Sequence, residues 1–311
     1  MKYILGGGIS GLIAAFYNPK YEILTKNLGG QMAVRNTGPR LLEVDNYSKQ
    51  FLHDLGYKKV EIKEAKIGYL YNDSLKNICD EKHRAMYYRK SRCLDESVEV
   101  PSSSMSDGKN IIRYYDIDWN EIIEKLKYLI KHRFKYGVLS SININTGLIH
   151  LNQSDLPYST PIDFERIIST IPAPEFNLMS YSKSCINFSS VHKYFIIIKF
   201  QEKKFIDSIM GDFDYVYLPE DKFQENRYTR LEKGICLEYT SSCKPFFWDK
   251  GLEQYVIYNA QIQNKVTINE ISNPAFNVEI KFLGRYAEWN HDIKVNDVIK
   301  KSIELSSGGI M

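Results

Sequence analysis

The feature that most constrains this chain is the run Gly6-Gly7-Gly8-Ile9-Ser10-Gly11, which satisfies the pattern G-x-G-x-x-G. An apolar strand precedes it over residues 2–5, and an apolar helix follows over 12–17. Gly6 permits a tight turn, Gly8 lets a phosphate approach the backbone, and Gly11 lets helix and strand pack closely. The N-terminus of the helix attracts phosphate through its free N–H groups. The run therefore predicts a dinucleotide site at Gly6, Gly8, Ile9, Ser10 and Gly11; the alternative is a glycine turn that binds no nucleotide.

The second strand, over residues 21–26, lacks a feature that this kind of site usually has. An acidic residue at its end normally holds the ribose hydroxyls. Here Thr25 and Lys26 stand in that place. Thr25 would bond a ribose more weakly than a carboxylate does, whereas Lys26 would attract a 2′-phosphate and favour NADP.

Composition excludes several classes of protein. A chain of 311 residues with 43% hydrophobic residues can bury a core of two-domain size. Its net charge of +3 argues against a dedicated nucleic-acid binder. The five cysteines form no C-x-x-C pair, so we expect no metal site and reduced thiols. Glycines interrupt the N-terminal apolar stretch, and no apolar run reaches about 18 residues. We expect a cytoplasmic protein without a membrane span.

Further along, the pattern of residues changes several times. Residues 49–115 are charged and rich in tyrosine, show no clean period, and end in a serine-rich stretch at 101–104. Residues 119–133 predict an amphipathic helix with Ile122, Ile123, Leu126, Leu129 and Ile130 on one stripe. Residues 138–151 predict a hairpin around Asn145-Thr146-Gly147. Further strands are expected over 164–171, 194–200, 215–218 and 276–283, and a last helix over 295–305.

Three segments carry a resemblance to a known group of proteins. Leu28-Gly29-Gly30-Gln31 resembles the glycine pair after the second strand in FAD enzymes of the amine oxidase, protoporphyrinogen oxidase and UDP-galactopyranose mutase superfamily, with a slightly shorter spacing here. The segment 164–172 resembles the strand of that superfamily that ends in Ser-Thr-x-Pro. Phe282-Leu283-Gly284-Arg285, followed by Asn296-Asp297-Val298-Ile299, resembles its C-terminal FAD motif.

This resemblance implies FAD as the cofactor. In addition to the glycine turn, it implies FAD contacts from Thr25, Lys26, Gly29, Gly30, Gln31, Gly284, Arg285, Asn296, Asp297 and Val298. Arg285 would clamp phosphate bidentately, and the alternative is a surface arginine in a turn.

A weaker likeness concerns the mutases alone. Tyr215-Val216-Tyr217-Leu218-Pro219-Glu220, followed by Arg227, is similar to a mutase stretch in which Arg227 would face the substrate's diphosphate. Tyr217 and Arg227 are therefore candidate substrate-binding residues. His291 is a third candidate, because it lies in the loop just before the last helix and could approach the flavin. The alternative is that Arg227 and His291 are ordinary polar loop residues. No paired carboxylates and no nucleophile with a base stand out, so no catalytic residue is assigned.

The expected fold is α/β: a doubly wound, Rossmann-like FAD/NAD(P)-binding domain with an inserted α+β substrate domain. The predicted FAD-binding domain is discontinuous, over 1–48, 116–174 and 268–311, and the substrate-facing domain covers 49–115 and 175–267. The leading hypothesis is a FAD-dependent oxidoreductase that moves hydride from a small substrate, such as an amine, to flavin N5. The alternatives are a mutase-like flavoenzyme acting on a sugar nucleotide without net redox change, and a non-catalytic nucleotide-binding protein. The oligomeric state is left open.

Overall fold

The computed structural model describes residues 1–30, 41–100, 110–152, 159–180, 188–199, 202–241, 257–262, 271–273, 278–290 and 292–307. Two predicted site residues, Gln31 and His291, lie outside these ranges, as does the serine-rich stretch at 101–104.

Strands dominate the described residues. In chain order they are β1 (Lys2–Gly8), β2 (Glu22–Gly29), β3 (Leu42–Glu43), β4 (Ile62–Tyr71), β5 (Ser74–Lys76), β6 (Ile111–Tyr115), β7 (Phe134–Tyr136), β8 (Val138–Asn143), β9 (Leu148–Asn152), β10 (Ser159–Asp163), β11 (Arg166–Ser169), β12 (Ser190–Lys199), β13 (Tyr215–Tyr217), β14 (Glu225–Leu231), β15 (Gly234–Ser241), β16 (Ile257–Ile262), β17 (Ile271–Asn273) and β18 (Val278–Phe282).

Helices connect and cover these strands. They are α1 (Ile9–Tyr17), α2 (Asn46–Asp54), α3 (Glu81–Lys90), α4 (Trp119–Ile130), α5 (Ala173–Met179), α6 (Lys203–Met210) and α7 (Val295–Ser306). A short 3-10 turn, Lys131–Arg133, follows α4. The predicted helix over 119–133 is confirmed, although its last residues take this tighter form and Leu129 is 42% exposed instead of lying in the buried stripe.

A six-stranded sheet forms the first layer of the fold, in the order β17-β18-β11-β1-β2-β7. Its neighbouring strands run parallel except for the β17–β18 pair. The strand order reverses at β1, because β2 and β7 lie on one side of it and β11 and β18 on the other. In open sheets of this kind, ligands bind at the carboxyl ends of the strands beside such a reversal.

Strand β1 is buried on both faces, which explains its continuous apolar sequence. Ile4 belongs to the core on one face, with α1, α2, α4 and α7. Tyr3 and Leu5 belong to the core on the opposite face, together with Ile149 of β9. The predicted hairpin is confirmed as β8 and β9, joined through Gly147 with a φ of +64°. With β10 it makes a three-stranded antiparallel sheet that covers this second face.

The remaining strands form a nine-stranded sheet in the order β16-β12-β15-β14-β13-β4-β6-β3, with β5 paired to β4. Strand β4 joins its two parts: Ile62–Lys66 pairs with β6, and Ile67–Tyr69 pairs in parallel with β13. The segment 49–115, in which the sequence shows no clean period, thus contributes most of α2 and all of β4, β5, α3 and β6.

The fold is therefore α/β with a doubly wound parallel sheet, as the sequence predicts. The division of the chain into domains stays a prediction. The predicted boundary at residue 48 falls inside α2, whose Phe51 and Leu52 are buried in the same core as α1 and α7.

Candidate functional site

The turn between β1 and α1 is built around two glycines that touch. Gly6 has a φ of +100°, a conformation that favours glycine. A Cβ placed on Gly11 would lie 1.9 Å from the carbonyl oxygen of Gly6. Only glycine at position 11 lets α1 start this close to the end of β1. The side chain of Thr170, just after β11, secures the same place by donating a hydrogen bond to the carbonyl oxygen of Leu5 at 2.7 Å.

Gly8, in contrast, faces open space. It caps α1 in an extended conformation (φ −71°, ψ 178°), which any residue can adopt, and no side chain caps the helix. Among the described residues, the only heavy atom within 4 Å of a Cβ built on Gly8 is Cα of Gly30, at 3.9 Å. Packing against the described residues therefore does not explain the missing side chain at Gly8. A ligand that lies on the backbone at this point would explain it.

The glycine pair Gly29 and Gly30 lies beside Gly8. Gly8 and Gly29 are partners in the β1–β2 register, and a Cβ on Gly30 would lie 3.0 Å from Cα of Gly8. Gly29 and Gly30 have φ values of +92° and +53°. The two glycine segments thus form one smooth floor at the carboxyl ends of β1 and β2.

The residues at the predicted ribose position differ in exposure. Thr25 is only 5% exposed, and its hydroxyl donates to the carbonyl oxygen of Asn27 at 2.7 Å, which occupies its only proton. Lys26 is exposed. Contacts of either residue with a ribose or a 2′-phosphate stay predictions.

The C-terminal motif reaches the same place from the other end of the chain. Gly284 follows β18 with a φ of +103°, and a Cβ on it would lie 2.5 Å from Oγ and 3.0 Å from Cβ of Ser10 in α1. Val298 of α7 is buried beside it, its Cγ2 3.9 Å from the same Cβ position. The turn at Gly284 therefore packs directly on the first turn of α1.

The other residues of this motif have partners within the protein. The Nε of Arg285 donates to the carbonyl oxygen of Ile293 at 3.1 Å, and burial lowers the pKa of Arg285. The amide of Asn296 donates to the carbonyl oxygen of Glu43 at 2.8 Å and to Asp45 at 2.6 Å. The carboxylate of Asp297 accepts from the N–H of Lys294 at 2.8 Å. The Oδ1 of Asn296 is buried without a hydrogen-bond partner among the described residues.

A dinucleotide fits these residues on two structural grounds. The first turn of α1 offers uncapped N–H groups to an anion, and the floor next to it, at Gly8, carries no Cβ. Both are what a pyrophosphate needs when it binds against backbone.

A buried charged triad lies on the nine-stranded sheet. Glu238 of β15, 1% exposed, contacts Lys193 of β12 at 2.5 Å and Arg227 of β14 on its other oxygen. Burial alone would raise the pKa of Glu238, but the positive charges of Arg227 and Lys193 outweigh burial and hold it below the ordinary value. Burial lowers the pKa of Lys193 to about 8. The positive charges of Arg227 and Arg285 also lower it, whereas the negative charge of Glu238 raises it.

The predicted pair Tyr217 and Arg227 is brought together. They are partners in the β13–β14 register, and the guanidinium carbon of Arg227 lies 5.6 Å from the centre of the Tyr217 ring. Tyr217 stacks on Tyr69 at 5.7 Å and meets the edge of Tyr87 at 4.9 Å. Arg227 therefore lies in an aromatic, buried setting and not in a solvated loop.

Sequence reasoning missed Lys193, Glu238 and Arg92. Arg92, just after α3, is 9% exposed, stacks on the Tyr88 ring at 3.9 Å and lies 3.9 Å from Asp292. The positive charge of Arg92 contributes to the lowered pKa of Arg285. One signal in the sequence was available: Glu238 is a single charge inside the apolar strand Gly234–Ser241, and a buried carboxylate requires a cationic partner.

Other parts of the described structure offer weaker candidates for a functional site. A surface pocket of about 500 Å³ is lined by residues of β4, of β5 and of the loop after α6, among them Tyr71, Lys76 and Phe213. None of the predicted site residues lines this pocket. Within the described ranges, no group of three metal-ligating side chains occurs. The helices that the structure describes include none with the length and apolarity needed to cross a membrane.

A parallel sheet whose first turn is rich in glycine, and whose last helix returns to that turn, defines a Rossmann-like dinucleotide-binding fold. Several solved structures share this fold. A reduced UDP-galactopyranose mutase has a TM-score of 0.63 at 12% identity, covering 100% of this chain and 96% of its own. A CLA-producing fatty acid isomerase from P. acnes has a TM-score of 0.61 at 12% identity, with 100% and 98% coverage. A putrescine oxidase has a TM-score of 0.58 at 9% identity, with 99% and 98% coverage.

The resemblance to the amine oxidase and mutase superfamily is thus confirmed for the fold. No model of a protein family matches the sequence, and no curated protein matches it in a sequence search.

Proposed function

We propose that this chain is a flavoenzyme that binds FAD across the β1–α1 turn. The pyrophosphate would lie on the backbone of Gly8 to Gly11, beside Gly29 and Gly30. Arg285 and the first turn of α7 would meet the cofactor from the other end of the chain. The packing of Gly284 on Ser10 carries this proposal, because it brings the N-terminal and C-terminal motifs to one place.

The leading proposal for the reaction is oxidation of a small substrate. When bound, FAD supplies an acceptor for the hydride that leaves the substrate carbon. The chain's own residues would bind and orient the ligands. The uncapped first turn of α1 would present N–H groups to phosphate. The similar folds of a putrescine oxidase and a UDP-galactopyranose mutase support flavin chemistry of this general kind.

A second candidate is a mutase-like reaction on a sugar nucleotide without net redox change. It is supported by the contact between Arg227 and Tyr217, because a buried guanidinium next to an aromatic ring suits a nucleoside diphosphate. In this reaction Arg227 would hold the diphosphate and Tyr217 would line the sugar.

An absorption spectrum tests the cofactor. Purified protein is incubated with FAD or with NADP, passed through a desalting column and scanned in the visible range. We expect a flavin spectrum at a ratio of about one FAD per chain. Protein that stays colourless, or that retains NADP alone, contradicts the proposal.

Anaerobic titration then separates the two reactions. A substrate that bleaches the flavin spectrum supports the oxidoreductase. Turnover of UDP-galactopyranose by dithionite-reduced protein, with no turnover by oxidised protein, supports the mutase-like reaction instead.

A further inference from the structure

Polar contacts join the first turn of α7 to the segment between β3 and α2. The side-chain nitrogen of Asn296 donates to the carbonyl oxygen of Glu43 at 2.8 Å and to the carboxylate of Asp45 at 2.6 Å. Just before α7, the ammonium group of Lys294 lies 2.5 Å from the carboxylate of Glu43. Asn296 and Asp45 are 251 positions apart in the chain, so this contact exists only in the folded protein.

The amide of Asn296 is held in one orientation. Both hydrogens of its nitrogen are used, and a flipped amide would place its oxygen against the two acceptor oxygens of Glu43 and Asp45. Asn296 is 9% exposed, and its Oδ1 is buried without a hydrogen-bond partner in the part of the chain that the structure describes. A buried acceptor without a donor costs free energy, so a donor at this point would stabilise the protein.

Asp45 fixes the N-termini of two helices at once. One of its carboxylate oxygens accepts from the N–H of Ser48 at 2.6 Å and so caps α2, while the other accepts from Asn296. The hydroxyl of Ser48 accepts from the N–H of Asp45 at 2.9 Å, which completes a capping box. The side chain of Asp45 therefore sets the position of the first turn of α7 relative to that of α2.

This end of α7 lies on the side of the parallel sheet where the flavin half of FAD would extend. In this kind of fold the end of the second strand meets the adenosine ribose, and the pyrophosphate lies at the turn after the first strand. Strands β2 and β18 lie on opposite sides of β1. The other half of the dinucleotide would therefore extend past the turn at Gly284, beside which Val298 of α7 is packed.

We propose that Asp45 is a positioning residue for the cofactor, which holds the Asn296 amide so that its Oδ1 accepts a hydrogen bond from the flavin half of FAD. The N–H of the flavin ring and the hydroxyl groups of its side chain are donors, whereas a pyrophosphate carries none. Asp45 acts through Asn296 and needs no contact with FAD itself. The inference rests on the proposed function, and it adds a residue to which the sequence assigned no role.

The variant Asp45→Asn separates this role from helix capping. Asparagine caps a helix as well as aspartate does, but its amide has one acceptor oxygen in place of two, so it serves either Ser48 or Asn296. Asp118→Asn is the matched control. Asp118 is also an exposed N-cap aspartate, and its carboxylate accepts from the N–H of Asn120 at the start of α4 at 2.8 Å.

A double-mutant cycle tests whether Asp45 acts through Asn296. The variants are Asp45→Asn, Asn296→Ala and the two combined, measured by FAD titration, by the visible spectrum of bound flavin and by thermal melts of FAD-free protein. Asn18→Ala is a second control, because the buried side chain of Asn18 joins α1 to the far end of α7. Its amide donates to the carbonyl oxygens of Ala14 and Ser302 at 2.8 and 3.4 Å. Should Asn296→Ala fail to fold, Asn296→Ser takes its place in the cycle.

We expect Asp45→Asn to raise the dissociation constant of FAD about fivefold to tenfold, the effect of one lost hydrogen bond. Asn296→Ala should raise it at least as much, and adding Asp45→Asn to Asn296→Ala should change it no further. The absorption bands of bound flavin should shift in Asp45→Asn, because the acceptor beside the flavin is displaced. Asp118→Asn should change neither the dissociation constant nor the bands, and Asn18→Ala should lower the melting temperature alone.

Several results overturn the inference. Unchanged FAD binding in Asp45→Asn would show that the contact does not serve the cofactor, and tighter binding would show that the carboxylate merely repels its phosphates. An equal effect of Asp45→Asn with and without the Asn296 side chain would show that Asp45 does not act through Asn296. Unshifted flavin bands, or an equal loss of affinity in either control, would also contradict the inference. Wild-type protein that never takes up FAD contradicts the proposed function, and the inference falls with it.

Discussion

Gly284 lies against Ser10, so closely that a Cβ at position 284 would be 2.5 Å from the serine Oγ and 3.0 Å from its Cβ. These two residues are 274 positions apart in the chain (284 minus 10), yet they join the last strand of the parallel sheet to the first turn of α1. Rotation of the Ser10 hydroxyl cannot relieve the 3.0 Å contact with Cβ of Ser10, because Cβ does not move when the hydroxyl rotates.

Replacing Gly284 with alanine should therefore impair both stability and FAD binding. The positive φ of +103° is itself costly for alanine, by about 1–2 kcal/mol, and the contact with Ser10 displaces the turn that would hold phosphate. Thermal melts and FAD titrations measure the two effects. Gly56→Ala is the matched control, because its φ is +88° but its nearest described neighbour is the flexible end of Lys125 at 3.8 Å. Equal FAD affinities in the two variants would count against a site at this contact.

Replacing Arg133 with methionine should destabilise the whole fold without touching the site. Its guanidinium donates to the carbonyl oxygens of Ala15, Asn18 and Tyr21 at 2.6, 3.0 and 3.2 Å, where α1 ends. Hydrogen bonds to a charged group at a helix C-terminus are strong, so we expect a loss of about 2 kcal/mol or more in the free energy of unfolding.

Urea unfolding measures this loss, with Arg166→Met as the control. Arg166 is 54% exposed and pairs with Glu279 at 3.1 Å, so its replacement should cost less than about 1 kcal/mol. Similar losses for both arginines would show that Arg133 does not secure the end of α1.

The titration of Lys193 should make stability rise with pH. Burial lowers the pKa of Lys193 in the folded protein to about 8, below the ordinary 10.5. Between these two values the unfolded chain binds more protons than the folded one, so stability increases as pH rises through this window. Below pH 8 the lysine is protonated in both states, and the cost of its buried charge is constant.

Lys193→Gln removes this contribution. Because burial also lowers the pKa of Lys90 to about 8, the measurement is the difference between wild type and variant, taken by urea unfolding at pH 7.5 and at pH 9.5. We expect the wild type to gain about 2 kcal/mol more than the variant over this range. A variant with the same pH dependence as wild type would show that Lys193 is not the titrating group.

The predictions that succeeded rest on local patterns in the sequence. The glycine turn, the stripe of α4 and the hairpin at Asn145-Thr146-Gly147 each lie within about 15 consecutive residues, so the sequence holds the whole signal. The return of the C-terminal motif to α1 was inferred from resemblance, and the contact between Gly284 and Ser10 agrees with it.

The segment 49–115 resisted interpretation for a physical reason. Strand β4 pairs with β6 over its first half, where four of five residues are exposed, and with β13 over its second half, where burial is nearly continuous. One strand thus carries two different patterns, and neither is long enough to be recognised. The short edge strand β5 adds no further period.

Arg227 was a candidate in the sequence, but its grouping with Lys193 and Glu238 was missed because it depends on how the strands pair. Lys193, Arg227 and Glu238 come from three strands and meet only when β12, β15 and β14 pair. A lone charge in an apolar strand predicts that some partner exists, but strand pairing decides which one.

The account depends most on a phosphate that rests on the backbone at Gly8, and replacing that residue with alanine tests it directly. The extended backbone there accepts alanine, and the nearest described atom leaves room for a methyl group. We therefore predict an unchanged melting temperature for the FAD-free variant and an FAD dissociation constant raised about tenfold or more, because the methyl group would occupy the ligand's place. A stable Gly8→Ala protein that binds FAD as tightly as wild type would contradict the account.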